Sequence, residues 1–165
     1  MDVRSVLQTR TLKNVIATIP GKSATEGSRE VLIASKRDAW VYGAVESGGT
    51  AVLLEVATVL AEILRIGWAP KRTIRLASWA GEELGLVGST QYGESNPSQI
   101  SMNTMAYIQV KSIPTGSKFS PRSSPTLENI IANVAQSISL RPDFPLKSRI
   151  NSTTVAFKRL GSGLC

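Results

Sequence analysis

Lys71–Tyr92, KRTIRLASWAGEELGLVGSTQY, is the stretch that decides how this chain reads. Thr73–Trp79 is a short apolar strand that runs straight into two adjacent carboxylates, Glu82 and Glu83. A helix over 84–94 is expected next, with Gly85 and Gly88 near its start and Asn96-Pro97 beyond its end. In an open α/β sheet, ligands gather beyond the carboxyl ends of the strands. The acidic pair therefore stands where chemistry is usually done. A second reading is equally open at this point: two glutamates in the first turn of a helix are welcome at the positive end of its dipole.

Working outward, Ala51–Ile66 (AVLLEVATVLAEILRI) carries Leu53, Leu54, Ala57, Leu60, Ala61 and Leu64 at spacings of three and four. That pattern predicts an amphipathic helix, closed by Gly67 and Pro70. Glu55 and Glu62 fall on its solvated face. Before it, Val45–Thr50 (VESGGT) reads as a tight glycine turn. Val31–Ser35 (VLIAS) reads as a strand covered on both faces that delivers Lys36, Arg37, Asp38 and Trp40 at its carboxyl end. Asn14–Ile19 is a further strand, stopped by Pro20-Gly21. Downstream, Thr104–Val110 (TMAYIQV) is a fourth strand ending at Lys111. Residues 112–125 form an exposed loop, and Thr126–Leu140 a third amphipathic helix. Thr153–Leu160 fits one more helix, and residues 1–12 are a lead-in without a clear period. Trp40, Trp68 and Trp79 read as packing anchors.

The order strand, strand, helix, strand, helix, strand, helix predicts one domain over 1–165, a three-layer α/β/α sandwich with a mostly parallel central sheet. Right-handed crossovers place Lys36, the Glu82–Glu83 pair and Lys111 at one edge of neighbouring strands. Two lysines and two glutamates can satisfy one another there.

Composition narrows the function classes. At 165 residues the chain is long enough to bury a real core, and 42% hydrophobic with 19% charged residues is ordinary for a globular protein. The net charge of +7 comes from scattered basic residues with no run interleaved with aromatics, which argues against nucleic acid as the partner. There is no histidine, the commonest metal ligand and general base, and the single Cys165 allows no disulfide within the chain. No apolar run approaches about 18 residues and the amino terminus does not read as a signal peptide, so no membrane contact is expected from this segment.

The runs SKRDAWVYGAVESGGTAVLLEVA, GWAPKRTIRLASWAGEELGLVGSTQY and MAYIQV resemble the catalytic domain of glutamate carboxypeptidase II-type peptidases and of their non-catalytic relative, the transferrin receptor. The resemblance begins near Asn14 and extends to VAFKRLGSG. It implies a co-catalytic zinc exopeptidase fold, normally part of a longer, membrane-anchored, dimeric protein with an extracellular domain. By this resemblance Glu82 holds the general-base position and Glu83 that of a zinc ligand. Lys36 stands where active members carry a histidine ligand and Lys111 where they carry an aspartate. Asp38 belongs to the supporting His-Arg-Asp run, and only Glu46 is available for the bridging aspartate. The last histidine ligand falls beyond this chain, so the sheet is expected to be incomplete at the carboxyl terminus.

A pair of zinc ions needs about five protein ligands that are neutral imidazole or anionic carboxylate. A protonated lysine offers no lone pair and adds a repelling charge. Without a metal to bring a water's pKa toward ~7, a glutamate of pKa ~4.3 does not activate water at an amide bond. The resemblance and these substitutions together imply a peptidase-fold domain that holds no cofactor, lacks hydrolytic activity and serves in binding or assembly with a protein or peptide partner. In it, Lys36 and Lys111 pair with Glu82 and Glu83. Two alternatives stand beside this expectation: an active zinc carboxypeptidase or dipeptidase with an atypical ligand set, and a gene fragment without function.

Overall fold

A computed structural model of the protein describes residues 3–110, 121–141 and 144–145, with the side chains of 44–47 and of 139 onward outside the description. The chain divides into two compact units, 1–113 and 114–165.

The first unit is a four-stranded sheet with helices. Its strands are β1 (Val15–Ile19), β2 (Glu30–Lys36), β3 (Thr73–Trp79) and β4 (Thr104–Gln109), in the spatial order β1-β3-β2-β4. β2 pairs in parallel with both β3 and β4, while β1 lies antiparallel along the outer side of β3. The all-apolar VLIAS run is the reason β2 is central: both of its faces are covered, and its burial is the most complete of the four strands. The edge strands β1 and β4 are largely exposed.

Helix α1 (Ala44–Arg65) crosses from β2 to β3, and helices α2 (Val87–Ser95) and α3 (Pro97–Asn103) cross from β3 to β4. Alternation along the strands places the helices on opposite faces. Gly49 of α1 lies against Ser35, whereas Tyr92 of α2 packs on Trp79, which belongs to the face of Leu32, Ala34 and Ala77. This is the expected three-layer arrangement around a mixed, mostly parallel sheet. The Trp79 and Tyr92 rings lie 5.1 Å apart at 42°, and Trp79 is 1% exposed. It is the anchor its type predicts. Trp40 and Trp68, expected to play the same part, are instead exposed.

At the amino ends of the strands, buried Glu30 is matched by Arg75 (Nε–Oε2 3.0 Å), with Thr104 and Gln99 also donating to it at 2.9 and 3.3 Å. A buried carboxylate needs such a set, and this one ties β2, β3, α3 and β4 together at the end away from the acidic pair.

Two local expectations are corrected. Val45–Thr50 is not a glycine turn but the opening of α1, which begins at Ala44. The helix expected over 84–94 begins only at Val87, and α3, unforeseen, follows it. Lys111, most of the 112–125 loop and the 153–160 segment lie outside the described residues. In the second unit, α4 (Pro125–Ser137) confirms the third amphipathic helix and ends three residues earlier than expected. A small hairpin of β5 (Ser139–Arg141) with β6 (Phe144–Pro145) follows it. Among the described residues no helix is long and apolar enough to cross a membrane.

Candidate active site

Glu82 and Glu83 sit in a tight turn, not in a helix. After Trp79 the backbone folds back on itself: the amides of Leu86, Val87 and Gly88 donate to the carbonyls of Glu82, Gly81 and Ala80 at 3.0, 3.1 and 2.9 Å. Such a reversal needs left-handed backbone, which Gly81 (φ 67°) and Gly85 (φ 106°) supply, and Leu86 adopts it as well (φ 60°). The first-turn dipole reading of the acidic pair therefore falls: the pair lies in a loop beyond the carboxyl end of β3.

Two side chains from other parts of the chain fix this turn. Asn14, just ahead of β1, accepts the Ala80 amide at 3.1 Å and donates to the Gly88 carbonyl at 2.8 Å. Gly88 is required there: a Cβ would come within 2.3 Å of the Asn14 amide oxygen. Asp38 follows β2, whose continuation is held by the Arg37 amide donating to the Trp79 carbonyl at 2.9 Å. Its two carboxylate oxygens accept the amides of Glu82 (3.1 Å) and Glu83 (2.9 Å). Its supporting place in the sequence thus has a specific geometric content: it grips the backbone of the two glutamates.

The side chains of the pair part company. Glu82 turns inward, 7% exposed, and accepts Gln109 Nε2 at 3.1 Å and Ser89 Oγ at 3.3 Å. Glu83 meets the ammonium of Lys36, the buried last residue of β2. That contact, with a further hydrogen bond from Trp40, holds the Glu83 carboxyl below its ordinary value of 4.5. Nearby, Trp79 Nε1 donates to the Tyr107 hydroxyl at 3.2 Å, and burial pushes the Tyr107 phenol above its usual value.

Of the residues singled out from the sequence, Lys36, Asp38, Glu82 and Glu83 are brought together. The expected pairing is met for Lys36 with Glu83. For Glu82 the other expected lysine, Lys111, lies outside the described residues, and the described donors to its carboxylate are Ser89 and Gln109. Glu46 lies in the first turn of α1 with its side chain outside the description, and Lys111 lies outside the described residues. The sequence reading missed Asn14, Ser89 and Gln109. Asn14 left a signal, an amide side chain immediately before a strand; the other two are polar residues of ordinary type, Gln109 placed by strand register and Ser89 by the first turn of α2.

Among the described residues no three His, Cys, Asp or Glu side chains converge on a point that could hold a metal ion. The donor chemistry agrees. One of the carboxylates that the resemblance makes a ligand is already neutralised by an ammonium group, which cannot coordinate. The described residues do not fit a pair of zinc ions.

Residues 14–158 match the family model described as Peptidase family M28. A probable glutamate carboxypeptidase, LAMP1 of Arabidopsis thaliana, is 37% identical over 92% of this chain and 23% of its own length. Aminopeptidase NAALADL1 of Mus musculus is 40% identical over 84% of this chain and 19% of its own length. The chain thus spans about a fifth of these curated relatives. Among solved structures, a peptidase M28 precursor from Shewanella amazonensis superposes with a TM-score of 0.53 at 29% identity, over 74% of this chain and 27% of that one. The acidic turn beyond β3, the sheet order and these matches agree, and the chain belongs to peptidase family M28, in its glutamate carboxypeptidase branch.

Proposed function

We propose that this chain is a peptidase-fold domain that no longer hydrolyses peptides and serves in binding or assembly, as its transferrin-receptor-like resemblance suggests. The observation that carries the reading is the ion pair between Lys36 and Glu83. An ammonium on the β2 edge supplies positive charge where the family pattern has a histidine and a cation. Asp38 still sets the backbone of the turn, and Glu82 still points into the interior. Glu82 accepts from two neutral donors, Gln109 and Ser89, and a glutamate so placed acts on water at an amide bond only where a metal has lowered that water's pKa. The housing of the reaction is kept while its electrophile is displaced.

The test is metal content by mass spectrometry after purification at neutral pH with zinc supplied, together with an assay on a dipeptide ending in glutamate. Substoichiometric metal and no hydrolysis above the blank are expected. Stoichiometric zinc with turnover that Glu82→Gln abolishes would overturn the proposal.

A further inference from the structure

We infer that the two loops at the carboxyl edge of the sheet form a docking surface for a partner polypeptide that presents apolar side chains among acidic ones. The inference rests on the reading of the chain as a binding domain and names the class of partner.

Around the Lys36–Glu83 pair, the apolar side chains of Leu12, Trp40, Leu84, Leu86 and Val87 are exposed, Trp40 by 69%. Leu84, Leu86 and Val87 belong to the one turn that follows Glu83. The Trp40 side chain lies near the Glu83 carboxylate, which precedes Leu84 in the turn. Leu12 and Val87 close over Gly81 from two sides, 2.7 and 3.3 Å from where a Cβ there would stand. Single exposed apolar residues are ordinary, but a cluster bordered by charge marks an interaction site. A central tryptophan with an arginine close by is the composition of a binding hot spot.

The border selects the partner's charge. Exposed Arg37 donates to the Lys13 carbonyl, so its guanidinium stands beside the backbone of Lys13, itself exposed and next to Leu12 in the chain. Among the described residues the carboxylates nearby are already engaged: Asp38 with two backbone amides, Glu82 with Ser89 and Gln109, Glu83 with Lys36. What faces outward is apolar and cationic, in a chain of net charge +7. An acidic, apolar segment is complementary to that surface, and a basic one is repelled. A second copy of this chain would bring the same cations to the contact and is repelled likewise.

The experiment is calorimetric titration of the 165-residue chain with a synthetic peptide alternating leucine and glutamate, and with its leucine–lysine counterpart. Binding of the acidic peptide only is expected, weakened at least about tenfold by Trp40→Ala and by Arg37→Glu, with circular dichroism melts showing that both variants fold. Equal binding of the two peptides, no binding, or an affinity indifferent to both substitutions overturns the inference. So does concentration-dependent dimerisation lost in Trp40→Ala, seen by light scattering. Zinc-dependent turnover would sink the non-hydrolytic reading; absence of both zinc and peptide binding would sink this inference alone.

Discussion

Lys36 and Glu83 form an ion pair in which the cation is 5% exposed and the anion 25% exposed. Neither partner is placed by chance: one closes a central strand and the other hangs from a turn whose backbone is gripped separately. Each half of such a pair stabilises chiefly by relieving the other. Lys36→Met and Glu83→Gln should each lower the melting temperature, and the double variant should lose less than the sum of the two. Thermal melts arranged as a double-mutant cycle check this; strict additivity would show that the pair contributes nothing.

The same contact fixes a pH dependence. Lys36 lowers the Glu83 carboxyl below 4.5, mainly by hydrogen bonding and secondarily by its charge, against the opposing effect of burial. The unfolded chain takes up its proton at the ordinary value. The contribution of the pair is therefore complete above that value, and it is lost as pH falls through the lowered folded value. Denaturant midpoints across the acid range should fall with pH in the native chain and fall less steeply in Lys36→Met.

Asp38 makes two charge-assisted bonds to adjacent amides. Asp38→Ala leaves both donors in a part-buried turn without their acceptor, at a cost of about 2–4 kcal/mol. Urea unfolding should show a lower midpoint with an unchanged slope, since the surface exposed on unfolding stays the same.

Two glycines in helices should respond with opposite signs. A Cβ on Gly49 would stand 2.3 Å from the Val110 carbonyl oxygen and 2.5 Å from Ser35 Oγ, so Gly49→Ala must push α1 away from the sheet and costs roughly 2–3 kcal/mol. A Cβ on Gly93 in α2 would meet nothing within 4 Å, and Gly93→Ala should raise stability by up to about 1 kcal/mol through helix propensity. Chemical denaturation of the two variants side by side is the measurement.

Gly49 also explains what was legible in the sequence and what was not. Hydrophobic pattern located all four strands of the main sheet, because a strand's burial is written in its own residues. It misread VESGGT, because two adjacent glycines signal a turn by propensity, whereas here the missing side chain at Gly49 lets a helix approach the end of β4. The start of the second helix was misplaced for a related reason. Leu86, which ordinarily favours a helix interior, adopts left-handed backbone at the close of a turn held by Asn14 and Asp38, residues 72 and 48 positions away in sequence. Of the site, the acidic pair and Lys36 were readable from type and spacing. Ser89 and Gln109 were not, since their roles depend on how the turn folds α2 back and on which residue of β4 register brings level with Glu82.

The clamp of Asn14 and Asp38 on the acidic turn has an evolutionary corollary. Both act on peptide groups, so the loop's backbone does not depend on which side chains stand in front of it. Inherited changes in the side chains that the turn presents then alter stability, as at Lys36 and Glu83, without dismantling the turn's backbone. A lineage could abandon one trade at this address and take up another while keeping the same loop.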